Sequence, residues 1–110
     1  MDIIARRELE RDGRKYEVLI ERPRRHETGD FVCPWSLVDD SGTVLTSQQM
    51  YGVDSVQSLL LAFLVIGDCV TAESDRFTHF GMEGTGFPRR MASDRPDISV
   101  WFLPRSKPES

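Results

Sequence analysis

Along residues 3–21, apolar and polar side chains alternate on both sides of one turn. The stretch "RELERDGRKYEVLIE" contains Asp12-Gly13, the pair that best tolerates the positive φ angles of a two-residue type I′ turn. Such a turn sets Leu9 opposite Tyr16, Arg7 opposite Val18 and Ala5 opposite Ile20. One face then carries Ile3, Ala5, Leu9, Tyr16, Val18 and Ile20. The other sets Glu10 against Lys15, Glu8 against Glu17 and Arg6 against Leu19. A slip of one residue would turn the apolar set to water, so turn chemistry and alternation specify the same register.

The pattern then breaks into "ERPRRHETGD", a polar loop. In "DFVCPWSLV", Phe31, Cys33, Trp35 and Leu37 alternate as in a half-buried strand. Pro34 has no N–H for a ladder, which predicts an edge strand or a bulge. "DDSG" reads as a turn and "TVLTSQQMY" as a fourth, weaker strand. Asp54, with Gln57 three residues later, is a capping-box variant that predicts a helix running to residue 70. At about 100° per residue, Val56, Leu59, Leu60, Phe63, Leu64, Ile66 and Val70 fill one broad face, with Gly67 in its middle. That face is expected to lie on the sheet, with Gly67 allowing close approach to a strand. Leu61, Val65 and Cys69 form a narrower stripe on the opposite side, beside Ser58 and Ala62. One sheet cannot cover that stripe, so the C-terminal segment or another chain is expected over it.

Residues 74–97 lack sustained periodicity yet contain Phe77, Phe80, Met82 and Phe87, which predicts an ordered, packed loop. "DISVWFLP" reads as a last strand ended by Pro104, and residues 105–110 as a disordered tail. The expected fold is α+β over residues 1–104: an antiparallel sheet of about four or five strands, opened by a hairpin, with one long helix packed on a face.

Composition narrows this little. The chain has 110 residues, 39% hydrophobic and 29% charged, which suits one modest core and is too apolar for a disordered chain. The longest apolar run, Leu59 to Ile66, is too short for a bilayer of roughly 30 Å. "MDIIARRELERDGRK" lacks a signal-peptide layout, so the cytoplasm is the expected location, with Cys33 and Cys69 reduced. Charge is more telling. Residues 31–75 hold Asp39, Asp40, Asp54, Asp68, Glu73 and Asp75 without one Lys or Arg. Such a segment repels phosphate backbones, so no nucleic-acid partner is expected.

Candidate chemistry is sparse. Cys33 and His79 are the components of a thiolate–imidazole pair, but Cys33 sits in a strand pattern with no helix N-terminus to lower its pKa. Asp75, His79 and Glu83 recur at metal-ligand spacing only on a helix, which Gly81 and Gly84 oppose. "GMEGTGFP" lacks the Lys-Ser/Thr of a phosphate-binding loop. "RPRRH" is offset by Glu21, Glu27 and Asp30, and Asp39-Asp40 are ordinary turn formers. No catalytic residue, cofactor or metal is expected.

"DFVCPWSL", then "YGVDSVQSLLLAFLVIG", then a late "GTGFP" together resemble a family of short bacterial proteins of unknown function, over roughly residues 30–88. The resemblance rests mainly on "GVDSVQSLLLA". It implies a small stand-alone α+β domain and supplies no catalytic residues. The expected function is non-enzymatic protein binding, of immunity-protein or adaptor type. Asp39, Asp40 and Asp68 would steer a basic partner, and Leu61 and Val65 would meet it. Two other classes stay open: a small hydrolase using Cys33, His79 and the Asp75/Glu83 carboxylates, and a structural homodimer built on the second helix stripe.

Overall fold

Strands β1 (Ile3–Arg11) and β2 (Arg14–Glu21) form the hairpin that the turn predicts. This is a computed structural model that describes residues 2–70 together with Phe77 and Phe87. Asp12 and Gly13 have φ of 55° and 76°, as a type I′ turn requires. Every predicted pair from Ala5–Ile20 to Glu10–Lys15 is present. The register slips only between Ile3 and Ala5, where Ile3 pairs with Glu21. Leu9, Tyr16, Val18 and Ile20 are buried, and Ile3 and Ala5 half-buried. On the outer face Arg6 meets Glu17 at 3.2 Å and Lys15 meets Glu8 at 3.6 Å.

The segment read as a polar loop continues β2 past a break at Arg22-Pro23 into a short strand, β3 (Arg24–Arg25). Strand β4 (Phe31–Asp39) follows, then β5 (Val44–Gly52), joined by a turn with Gly42 at φ 86°. All pairings are antiparallel: β1 with β2, β2 and β3 with β4, and β4 with β5. The expectation that Pro34 marks an edge or a bulge is therefore corrected, because β4 lies inside the sheet. The reason is local. β2 pairs with β4 as far as Trp35, and β3 takes over only at Val32. Pro34 lies opposite the break, where that side of the ladder needs no donor. The one irregularity between β4 and β5 falls at Leu37/Val38 instead.

Helix α1 (Ser55–Val70) packs on β4 and β5. Its start is capped as predicted: Asp54 Oδ1 accepts from the Gln57 N–H at 2.8 Å. Gln57 Oε1 reaches back to the Val53 N–H at 2.7 Å. The face on the sheet differs from the predicted one. Ser58, Ala62, Ile66, Gly67 and Val70 are buried, Leu59 and Phe63 are half-buried, and Val56 and Leu60 are exposed. Small side chains decide this, because Ser58 and Ala62 let the helix axis come close to the sheet. The Ser58 hydroxyl costs little there, since it donates to the Ser55 carbonyl at 3.0 Å. Leu61, Val65 and Cys69 are half-buried, and Val65 and Cys69 touch the core, so this stripe is not left wet.

The core joins Leu9, Val18 and Ile20 to Cys33, Trp35, Leu37, Ala62, Ile66 and Val70. Over β1 and β2 it is closed by two side chains that follow the helix. Phe77 meets Tyr16 edge-on at 5.0 Å, with Arg11 over its ring at 4.4 Å. Phe87 lies 6.2 Å from Phe63, with Arg7 over it at 5.2 Å. Phe77 and Phe87 are packed as predicted, whereas Phe80, Met82 and the rest of the predicted loop lie outside the described residues. The predicted last strand and tail lie outside the described residues. No helix among the described residues is long and apolar enough to cross a membrane.

Candidate functional site

Cys33 points into the core from the middle of β4 and is fully buried. Its thiol donates to the Glu21 carbonyl at 3.5 Å. Burial, and secondarily the charge of Glu21, pushes its pKa up to about 11. A thiol so placed has almost no thiolate at neutral pH and no access for a substrate. The expected result is that iodoacetamide leaves Cys33 unmodified at neutral pH in the native protein and labels it once the fold is opened with guanidinium. Mass spectrometry of the cysteine peptides reads this directly. Asp75, His79 and Glu83 lie outside the described residues. Among the described residues no cluster of three His, Cys, Asp or Glu side chains could hold a metal.

The two turn carboxylates have structural partners. Asp39 Oδ1 accepts from the Ser41 hydroxyl at 2.7 Å and from the Ser41 and Thr43 N–H groups, each at 2.9 Å. The Ser41 hydroxyl bond, helped by the two backbone donors and Arg14, holds the Asp39 carboxyl below its ordinary pKa. A depressed folded-state pKa stabilises the turn above the ordinary aspartate value near 3.9, and this is lost as pH falls through the folded value. A carboxyl-detected NMR titration is expected to place Asp39 below that value, with the Ser41 and Thr43 amides shifting in step. Asp40 pairs with Arg14 at 3.0 Å, which ties the β4–β5 turn to the hairpin turn. Asp68 is half-buried in the last helical turn, away in sequence from both.

A different surface gathers apolar groups. Val53, Val56 and Leu60 are 73%, 62% and 42% exposed, and the two helical members stand one turn apart. Beside them an open groove of about 410 Å³ is lined by Arg22, Pro23, Phe31, Ser55, Val56 and Leu59. The Arg25 guanidinium stacks over Phe31 at 5.3 Å, and Arg22 pairs with Asp2 at 2.6 Å. The groove lies where the strand breaks at Arg22-Pro23 beside the first residues of α1. Sequence reasoning placed Val56 and Leu60 in the core and gave Val53 no role. The signal that could have found them is the Ser58–Ala62 spacing, which marks the close-packed face and turns Val56 and Leu60 away from it. Leu61 and Val65, the predicted contact residues, are half-buried on the flank of the helix away from Val56.

Among known proteins, the family model of a domain of unknown function, DUF6968, matches residues 5–89. No curated protein and no solved structure matches.

Proposed function

The chain belongs to that DUF6968 family, and from this premise we propose that it is a small, non-enzymatic protein-binding module of adaptor or immunity-protein type. The observation that carries the reading is the exposed apolar flank Val53–Val56–Leu60 beside the open groove. Contiguous apolar surface rimmed by polar groups is a mark of interaction sites. Phe31, Leu59 and Val56 supply the apolar contact, and Arg22 and Arg25 form its polar rim. The carboxylates of residues 31–75 act at longer range. Asp39, bonded within its turn, Asp40, paired with Arg14, and Asp68 draw a basic partner toward the encounter. The burial of Cys33 favours this reading over a thiol hydrolase.

Affinity purification from the native host, followed by mass spectrometry, identifies the partner. Binding is then measured with the double variant Val56→Asp, Leu60→Asp. It is expected to lose at least about tenfold in affinity, the equivalent of one anchoring contact. Charge reversal at Asp40 and Asp68 is expected to slow association and flatten its salt dependence. A substrate turned over by the purified chain, with turnover lost in Cys33→Ser or His79→Ala variants that still fold, would defeat the proposal.

A further inference from the structure

We propose that a second copy of this chain pairs with β5, edge to edge and antiparallel about a two-fold axis at Gln48. Among the described residues, the two outer strands of the sheet are built differently. β1 carries Arg6, Arg7, Glu8, Glu10 and Arg11 and a register shift at its start, the usual protections of a sheet edge. β5, "VLTSQQMYG", has no charge and no proline over nine residues. Among the described residues it pairs with β4 alone. Val44, Leu45, Ser47, Gln48, Gln49 and Tyr51 are all exposed. An uncharged edge of this length is a template for another strand.

The strand is complementary to itself. With Gln48 on the axis, Ser47 faces Gln49 of the second copy, Thr46 faces Met50, and Leu45 faces Tyr51. Leu45 and Tyr51, each 47% exposed, become an aliphatic–aromatic cross-strand pair. No like charges oppose one another along the strand.

The helix makes the second half of the interface. α1 rests on β4 and β5, so the helices of the two copies stand about two strand spacings apart. At about 4.8 Å per spacing this is roughly 9.6 Å, within the 8–10 Å or so at which helices pack. Val56 and Leu59 line the groove with Arg22, Pro23 and Phe31, on the β2–β3 side of β4. Leu61 and Val65 project about 140° and 180° round the helix from Val56, toward β5 and the second helix. Both are half-buried in one copy, and the pairing completes their cover. This surface is separate from the Val53–Val56–Leu60 flank, so either proposal can fail alone.

Sedimentation equilibrium of the full chain from micromolar to millimolar concentration tests the pairing. The wild type is expected to dimerise, and Gln48→Lys to weaken the dimer by about tenfold or more through like charges at the axis. Gln48→Glu is expected to weaken it similarly, and an equal mixture of the two variants to restore it as a heterodimer. Circular dichroism checks that each variant keeps its fold. In the wild type, without any substitution, β5 amides are expected to gain protection from hydrogen exchange only at dimerising concentrations. A chain that stays monomeric throughout would overturn the proposal. So would a dimer indifferent to Gln48→Lys, or one not restored by mixing.

Discussion

Replacing Trp35 with alanine is expected to cost about 3–5 kcal/mol, the usual range for a buried aromatic. Trp35 is the largest fully buried side chain among the described residues. It sits between Ile20 on β2 and Gln48 on β5, under the helix that packs on β4 and β5. Its loss opens a cavity in a core whose neighbouring members are fixed on the sheet and on the helix packed against it. Among the described residues the indole Nε1 has no hydrogen-bond partner. Trp35→Phe removes that buried donor and is therefore expected to cost clearly less than the alanine variant. Urea melts of the two variants check both statements. Equal losses would mean that the indole N–H contributes to the fold after all.

The second large effect is expected at Gly52, where β5 hands over to the helix. A Cβ there would lie 2.5 Å from the Ser58 backbone nitrogen and 2.9 Å from the Gln57 carbonyl carbon. Both obstacles are backbone, so no rotamer change relieves the clash. The start of α1 must move, and with it the caps from Asp54 and Gln57. Gly52→Ala is expected to destabilise by up to about 3 kcal/mol, the upper range for overpacking. Val56→Ala, four residues on but exposed, is expected to change stability by less than about 0.5 kcal/mol. Denaturant midpoints of the two variants, with far-UV circular dichroism for the helix, separate these cases.

The hairpin was legible because two independent rules met at one place. Asp12-Gly13 defines a turn, and the alternation on either side leaves only one register with Leu9, Tyr16, Val18 and Ile20 inside. The helix cap was legible for the same reason, as Asp54 and Gln57 act within one turn. The orientation of the helix was not. A segment apolar almost all round has no strong periodic signal, and side-chain size rather than hydropathy selected Ser58 and Ala62 for the sheet. The rule for Pro34 failed because the break that accommodates it lies in another strand, at Arg22-Pro23. The apolar flank inherited the helix error: once Val56 and Leu60 were assigned to the core, nothing local marked them as surface. Asp39 and Asp40, by contrast, occupy the turn that their residue types indicate.

Phe77 and Phe87 close the core over β1 and β2, and this sets an order on biosynthesis. When the ribosome has added Val70, all the described strands and the helix are present in the nascent chain, but Phe77 and Phe87 are not. At roughly 5–20 residues per second, about one to three seconds separate the synthesis of Val70 from that of Phe87. During that interval Leu9, Tyr16 and Val18 can meet a chaperone or a neighbouring nascent chain before they meet their own phenylalanines. The hairpin, the first element to be made, thus waits longest for the side chains that cover it.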